Sequence, residues 1–267
     1  MEPSLSTLPL FDAEELTWYV NYFQSDIKKS LCLCNEITKI INPEKESSHQ
    51  EYMTFIFPEG FQGSIVLNGT ECAGSRITVD CKEWTLKQEN FNVVDCPLRQ
   101  LYEILQYTGT IESNLKRLET MNFDVIKNSC DNICTAIDLA IQSLLHPPSL
   151  LFPDTPTHTF FQFPHPHMTA EIYIQQAEII LRLFLLDSVD SEHPSETLAD
   201  GLVLENTEIT HKNKVLKAYL LESKYYWIRN EKEIHLESEH LKHLLSILTS
   251  LQQVWNVHSH NINQFIN

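Results

Sequence analysis

Residues 168–187 read MTAEIYIQQAEIILRLFLLD, and the fold turns on whether this stretch is a helix. It is apolar almost all round, as a central helix buried on every side would be. The segment before it, PSLLFPDTPTHTFFQFPHPHM (148–168), holds five prolines, three histidines, four phenylalanines and no lysine or arginine. If helices end near His146 and restart near Met168 pointing the same way, this segment must travel back along them. About 20 extended residues can span roughly 65 Å, against about 35 Å for the helix alongside. Prolines keep such a strap extended, and Phe152, Phe160, Phe161 and Phe163 can fasten it to the helices.

Working outward, the apolar period is helical from Asp12 to about Asn42. Leu16, Val20, Phe23, Ile27, Ser30, Cys34, Ile37 and Ile41 alternate steps of four and three, broken only by Ser30. Asn42-Pro43 ends that helix, because proline disfavours helical geometry in the residue before it. After Pro97 the stripe Leu98, Leu101, Leu105, Ile111, Leu115, Leu118 predicts a helix bent or broken at Gly109. Ile126, Cys130, Ile133, Ile137, Ala140 and Leu144 carry the next helix, which His146-Pro147-Pro148 terminates. The last helix begins near Ile234, with Leu241, Leu244, Leu248, Leu251, Trp255, His258 and Ile262 in its stripe. Such stripes suit either one chain's bundle or a coiled coil between chains, and matching lengths within one chain favour the bundle.

Between the helices the period changes to two. YMTFIF, GSIVLNG and SRITVDCKEW, with turns at PEG, NG and AGS, predict three or four strands from about 50 to 92. GLVLE, TEIT, KVLKAYLLE and KYYWIR predict strands or hairpins between 201 and 229. Each block is too small to stand alone, which favours their merger. The expected fold is α+β: an elongated antiparallel helical bundle (1–48, 95–200 and 233–267) capped at one end by a discontinuous antiparallel β-domain (49–94 and 201–232).

Composition narrows the function classes. A formal charge of −17, from 36 acidic and 19 basic residues, repels phosphate backbones and anionic lipid. Nucleic-acid binding is therefore not expected, and the absence of a long apolar run argues against membrane insertion. The N-terminus lacks the basic start and apolar block of a signal peptide. Seven cysteines with no CxxC pair point to a reducing, cytosolic setting with mostly buried thiols. The sequon Asn68-Gly69-Thr70 then reads as a turn.

The residues that could carry an enzyme signature do not combine into one. A metal site in the strap would use His158, His165 and His167, but no cysteine is near, and solvated or packing histidines are the simpler reading. A di-iron bundle needs paired Glu-x-x-His motifs and inward glutamates. Glu237–His240 offers one motif, Glu46–His49 and Glu208–His211 fall outside helices, and Glu171 and Glu178 share no stripe. There is no Walker loop, GxGxxG, GxSxG or HExxH. Cys32, Cys34, Cys130 and Cys134 read as small buried apolar residues. Histidines 235, 240, 243, 258 and 260 crowd the last helix and read as bundle-surface residues able to titrate near neutral pH. No catalytic residue, cofactor or metal is expected.

The order of features resembles the Rogdi family, on residues spread over most of the chain. GSIVLNGTECAGSRITVDCKEW (63–84) looks like its first β block. LLHPPSLLFPDTPTH (144–158), followed by FPHPHMTAEIYIQQAEIILRLFLLD (163–187), resembles its proline-rich strap and the helix after it. LENTEITHKNKVLKAYLLES (204–223) stands where its second β block does. Fungal members of the family are a subunit of the RAVE complex, the regulator of vacuolar and endosomal proton-ATPase assembly. The resemblance implies a helical bundle with a β-domain, no active site, and a role in reuniting the ATPase's peripheral and membrane sectors. Its implied partners are a large β-propeller (WD-repeat, rabconnectin-like) scaffold subunit, the Skp adaptor and peripheral-sector ATPase subunits. The implied location is cytoplasmic, with peripheral recruitment to vacuolar and endosomal membranes, and the chain is expected to be a monomer outside its complex.

Such a protein acts through surfaces, and exposed apolar patches mark contacts. The candidates are Tyr225, Tyr226 and Trp227, read either as core strand or as an edge strand beside Arg229, and the strap aromatics Phe160, Phe161 and Phe163.

Overall fold

A computed structural model describes residues 13–42, 50–93, 96–118, 123–149, 151–152, 161–162, 168–188, 207–211, 214–221 and 224–266. The chain separates into two compact units: Met1–His49, Arg99–His146 and Glu239–Asn267 form the first, Gln50–Leu98 and Pro147–Ser238 the second.

The first unit is built from α1 (Ala13–Ile41), α2 (Arg99–Leu118), α3 (Phe123–Leu145) and α4 (Glu239–Ile266). The helical spacing explains each one. Phe23, Ile27, Ser30, Cys34, Ile37 and Ile41 of α1 are all buried, as are Cys130, Ile133, Ile137, Ala140 and Leu144 of α3. In α4 the whole stripe from Leu241 to Ile262 is buried. Each fully buried leucine or isoleucine contributes about 1.5–3 kcal/mol. Ser238, a favoured N-cap residue, and Glu239 in the first turn suit the start of α4. The helices neighbour one another in the ring α1–α2–α3–α4. Successive neighbours run antiparallel: Gln100 of α2 meets His146 at the end of α3, Asp131 of α3 meets Ser259 of α4, and Glu36 of α1 meets His243 of α4. α2 continues through Gly109 without the expected break. Open space surrounds that glycine, so nothing forces a bend, and a glycine in mid-helix costs only about 1 kcal/mol.

The second unit holds two antiparallel sheets. The first comprises β1 (Glu51–Phe57), β2 (Phe61–Asn68), β3 (Glu71–Val79), β4 (Glu89–Val93), β5 (Cys96–Pro97) and β6 (Phe161–Gln162), ordered β1-β2-β3-β4-β6 with β5 on β3. Met53, Phe55, Phe61, Ile65, Leu67, Ile77, Val79 and Phe91 fill its inner face at period two. Gly60 closes the β1–β2 turn at φ 97°, and a Cβ there would lie 1.9 Å from the Asp80 carbonyl oxygen. The second sheet comprises β7 (Met168–Gln175), β8 (Glu178–Ser188), β9 (Thr207–His211), β10 (Lys214–Leu221) and β11 (Lys224–Glu237), ordered β7-β8-β11-β10-β9.

The elongated bundle with a capping β-domain is therefore overturned. Residues 168–187 are not a central helix. They are the hairpin β7–β8, registered from Met168↔Leu185 to Gln175↔Glu178 around the two-residue turn Gln176-Ala177. Almost every side chain from Met168 to Leu186 is buried, on both faces of the sheet. A strand covered on both faces loses its polar alternation and reads as apolar all round. The helix that required a strap is absent, and residues 153–160 and 163–167 of that segment lie outside the described residues. Phe152 packs on Phe184 of β8, ring centroids 4.7 Å apart, and Phe161 lies in β6 paired with β4, so neither follows a helix. The last helix starts at Glu239 rather than Ile234, because Ile234 and Leu236 alternate with exposed neighbours and pair with Leu181 and Ile179.

Candidate interaction surfaces

The aromatic strand positions sit in the middle of a sheet. β11 pairs with β8 from Tyr226 onward and with β10 over Lys224–Tyr226, so Tyr226 is paired on both sides, Tyr225 with β10 and Trp227 with β8. Tyr226 is half-buried and packs with Ile228 against Phe152, Phe184 and Leu186. Trp227, the next residue along the strand, is half-buried and points to the opposite face. The register slips at Arg229, which leaves Tyr226 and Ile228 on the same face as Glu231 and Glu233. Tyr225 lies opposite Leu220. Phe160 and Phe163, with His158, His165 and His167, lie outside the described residues.

A charged cluster crosses that face. Glu171, Arg182 and Glu233 stand opposite one another on β7, β8 and β11. Glu171 is 3% exposed; its carboxylate accepts from Arg182 Nη1 at 2.7 Å and from the backbone N–H of Phe152 at 2.7 Å. Arg182 also reaches Glu231 and Glu233, and its guanidinium lies 5.0 Å from the centre of the Phe184 ring. Burial pushes the Glu171 carboxyl up, against the Phe152 N–H and Arg182. Burial would lower Arg182, but the carboxylates of Glu231 and Glu171 outweigh it and raise it. The cluster fixes Phe152 onto the sheet and is satisfied by its own members.

The helical unit hides a second polar group. The Trp255 indole N–H donates to Ser30 Oγ at 2.9 Å, and His258 Nε2 lies 3.1 Å from Asp26 Oδ2. The polar residues interrupting the α1 and α4 stripes thus find partners across the α1–α4 seam, and all four are under 5% exposed. Burial lowers the His258 pKa, while the Asp26 carboxylate opposes it. Phe23 and Tyr22 close around the imidazole, with ring centroids at 4.9 and 5.7 Å. His235 and His243 are exposed and pair with Glu178 and Glu36, so the histidines expected on one helix surface divide between β11, the α4 surface and the seam.

All seven cysteines are free, and five are buried. Burial pushes the thiols of Cys34, Cys96 and Cys130 up to about 12, which leaves them almost wholly protonated at neutral pH. No helix among the described residues is long and apolar enough to cross a membrane.

Sequence reasoning missed the most exposed apolar side chains. Ile56 is 82% and Tyr52 68% exposed, both on the outer face of β1. The available signal was that YMTFIF is apolar at alternate positions of both faces, not of one.

No curated protein sequence matches the chain. The family profile described as Rogdi leucine zipper containing protein matches residues 15–263. The match runs from the first turn of α1, through both sheets, to the last turn of α4. The chain belongs to the Rogdi leucine zipper containing protein family.

Proposed function

We infer that this chain is a non-catalytic subunit of a complex that promotes reversible assembly of the peripheral and membrane sectors of the vacuolar proton-ATPase. It acts by protein–protein contacts with a β-propeller scaffold subunit, the Skp adaptor and peripheral-sector subunits, in the cytoplasm and on vacuolar and endosomal membranes reached by recruitment. The observation that carries this reading is the family match over residues 15–263. The burial of the α1 and α4 stripes within one chain supports it, because the zipper-like residues are taken up by the fold and contacts fall to the surface. A charge of −17 argues in the same direction, against nucleic acid and anionic lipid as direct ligands. Among the aromatic positions expected to make contacts, Trp227 is half-buried and faces away from the Phe152 cluster that holds Tyr226, so it is the first to replace.

The test is purification of the tagged chain from the cells that express it, followed by mass spectrometry. Recovery of a β-propeller scaffold, Skp and peripheral ATPase subunits in stable proportion is expected. A stable complex lacking all three overturns the assignment.

A further inference from the structure

The outer face of the first sheet carries no carboxylate in its three central rows, on a protein with 36 acidic residues. The register sets these rows. Ile56, Gln62, Thr78 and Asn90 form one, Thr54, Ser64, Arg76 and Asn92 the next, and Tyr52, Val66 and Ala73 the third, in which Tyr52 stands exposed and Val66 is buried. Glu59, Glu71 and Asp80 stand only at the ends of the strands. Arg76 is the single charged residue in the rows, and its guanidinium donates to the Asn90 amide oxygen at 3.2 Å rather than to a carboxylate. Thr78 donates to the same oxygen at 2.8 Å, which fixes that amide.

Two large apolar side chains flank this neutral field. Ile56 and Tyr52 are 82% and 68% exposed, while no other large exposed apolar residue among those described passes 52%. The inner face of β1 already holds Met53 and Phe55, so the strand needs neither residue for its core. Exposing an isoleucine in this way forgoes the stabilisation that burial would return. At the two ends of β1, Ser238, just past β11, donates to Glu51, and Lys232 of β11 lies 3.9 Å from Glu59 in the turn after the strand. Ile56 and Tyr52 stand on the flat face, so a partner that covers them meets that face.

We propose that this face, anchored by Ile56 and Tyr52 and charged only at Arg76, docks an acidic protein surface. Elsewhere the net charge of −17 repels such a partner, and here an incoming carboxylate meets a guanidinium and a field of neutral donors. Phosphate-rich ligands fit poorly, because polyanions draw affinity from several cations and the rows offer one. The proposal rests on the reading of the chain as an interaction subunit, not on which complex it joins.

The experiment places a benzoylphenylalanine photo-cross-linker at Ile56, with exposed Gln106 on α2 as the control position, in the cells that express the chain. The expected result is one adduct from position 56, mapping to an Asp/Glu-rich segment of another protein, and none from 106. Arg76→Glu should reduce it at least about tenfold, and Arg76→Gln, which keeps an amide beside Asn90, should reduce it less. Both variants should melt like the wild type, since Arg76 is exposed. No adduct at 56, an adduct with a second copy of this chain, or one indifferent to both Arg76 variants overturns the proposal. The identity of the partner separates the two readings. An acidic partner outside the ATPase-assembly complex sinks that assignment and leaves the surface standing. Co-purification of that complex without an adduct does the reverse.

Discussion

Replacing Gln176 by glycine should stabilise the protein, and the sign of that change tests the reading of residues 168–188. Gln176 and Ala177 are the two turn residues between β7 and β8, and both have positive φ, 52° and 57°. Positive φ at both central residues is the pattern of a type I′ turn, which favours Asn-Gly. An L-residue held in the left-handed region costs roughly 1–2 kcal/mol, and glycine removes that cost. Against it, glycine adds about 0.4–1 kcal/mol of unfolded-chain entropy. Gln176 is exposed, so no packing is lost, and the net gain is about 0.5–1 kcal/mol. Ala177 is 1% exposed, and losing its methyl offsets about 0.8 kcal/mol, so Ala177→Gly should be near neutral. In a helix the same Gln176→Gly change would cost close to 1 kcal/mol. Urea unfolding followed by circular dichroism reads the midpoint, and the melting temperature should rise by about 1–4 °C. A midpoint lowered by an amount near 1 kcal/mol would refute the hairpin.

The bundle stripes are tested by Ile27→Asp and Leu248→Asp. Each puts an unpaired charge at a site 1% or less exposed, costing several kcal/mol of a total near 5–15, and a wild-type melt from either would place that stripe elsewhere. Ser30→Ala removes the partner of the Trp255 indole N–H and should cost about 1–3 kcal/mol; a double-mutant cycle with Trp255→Phe should show coupling, and none would mean the hydrogen bond is not formed. Burial lowers the His258 pKa against the opposing Asp26 carboxylate, so below the ordinary value of 6.5 the unfolded chain binds the proton first. Stability should therefore fall as pH drops through the window from 6.5 down to the lowered folded value, and His258→Gln should flatten that slope. An unchanged slope in the variant would assign the pH dependence to other groups.

Much of this fold is legible in the sequence where one face of an element meets water. Ile27, Cys34 and Ile37 on α1, and Leu244, Leu248 and Leu251 on α4, announce their helices because their neighbours are polar. Met53 and Phe55 announce β1 in the same way. Ile179, Ile180 and Leu181 cannot, because both faces of β8 are covered and the period-two signal vanishes. The turn that would have declared the hairpin is Gln-Ala, which carries no glycine or asparagine. Ser30 reads as a break in the α1 stripe and His258 as a surface histidine that falls in the α4 stripe. Each in fact meets a residue of the opposite helix, and Asp26, which lies beside the α1 stripe, could not be assigned to His258 without the antiparallel register. Tyr52 and Ile56 were visible as residues but not as a surface, since their exposure follows from which face of the sheet is buried. The neutral rows around Arg76 depend on pairing among four strands, which no local pattern encodes.

The central claim is that the zipper-like stripes of this family member close on one another within a single chain. Static light scattering on the purified protein tests it most directly, across a dilution series spanning about two decades around micromolar concentration, where specific dimers hold or dissociate. The account predicts a constant mass near the 31.0 kDa of one chain. A species of twice that mass that persists on dilution, and reverts to one chain when Leu244 and Leu251 are made polar, would contradict it.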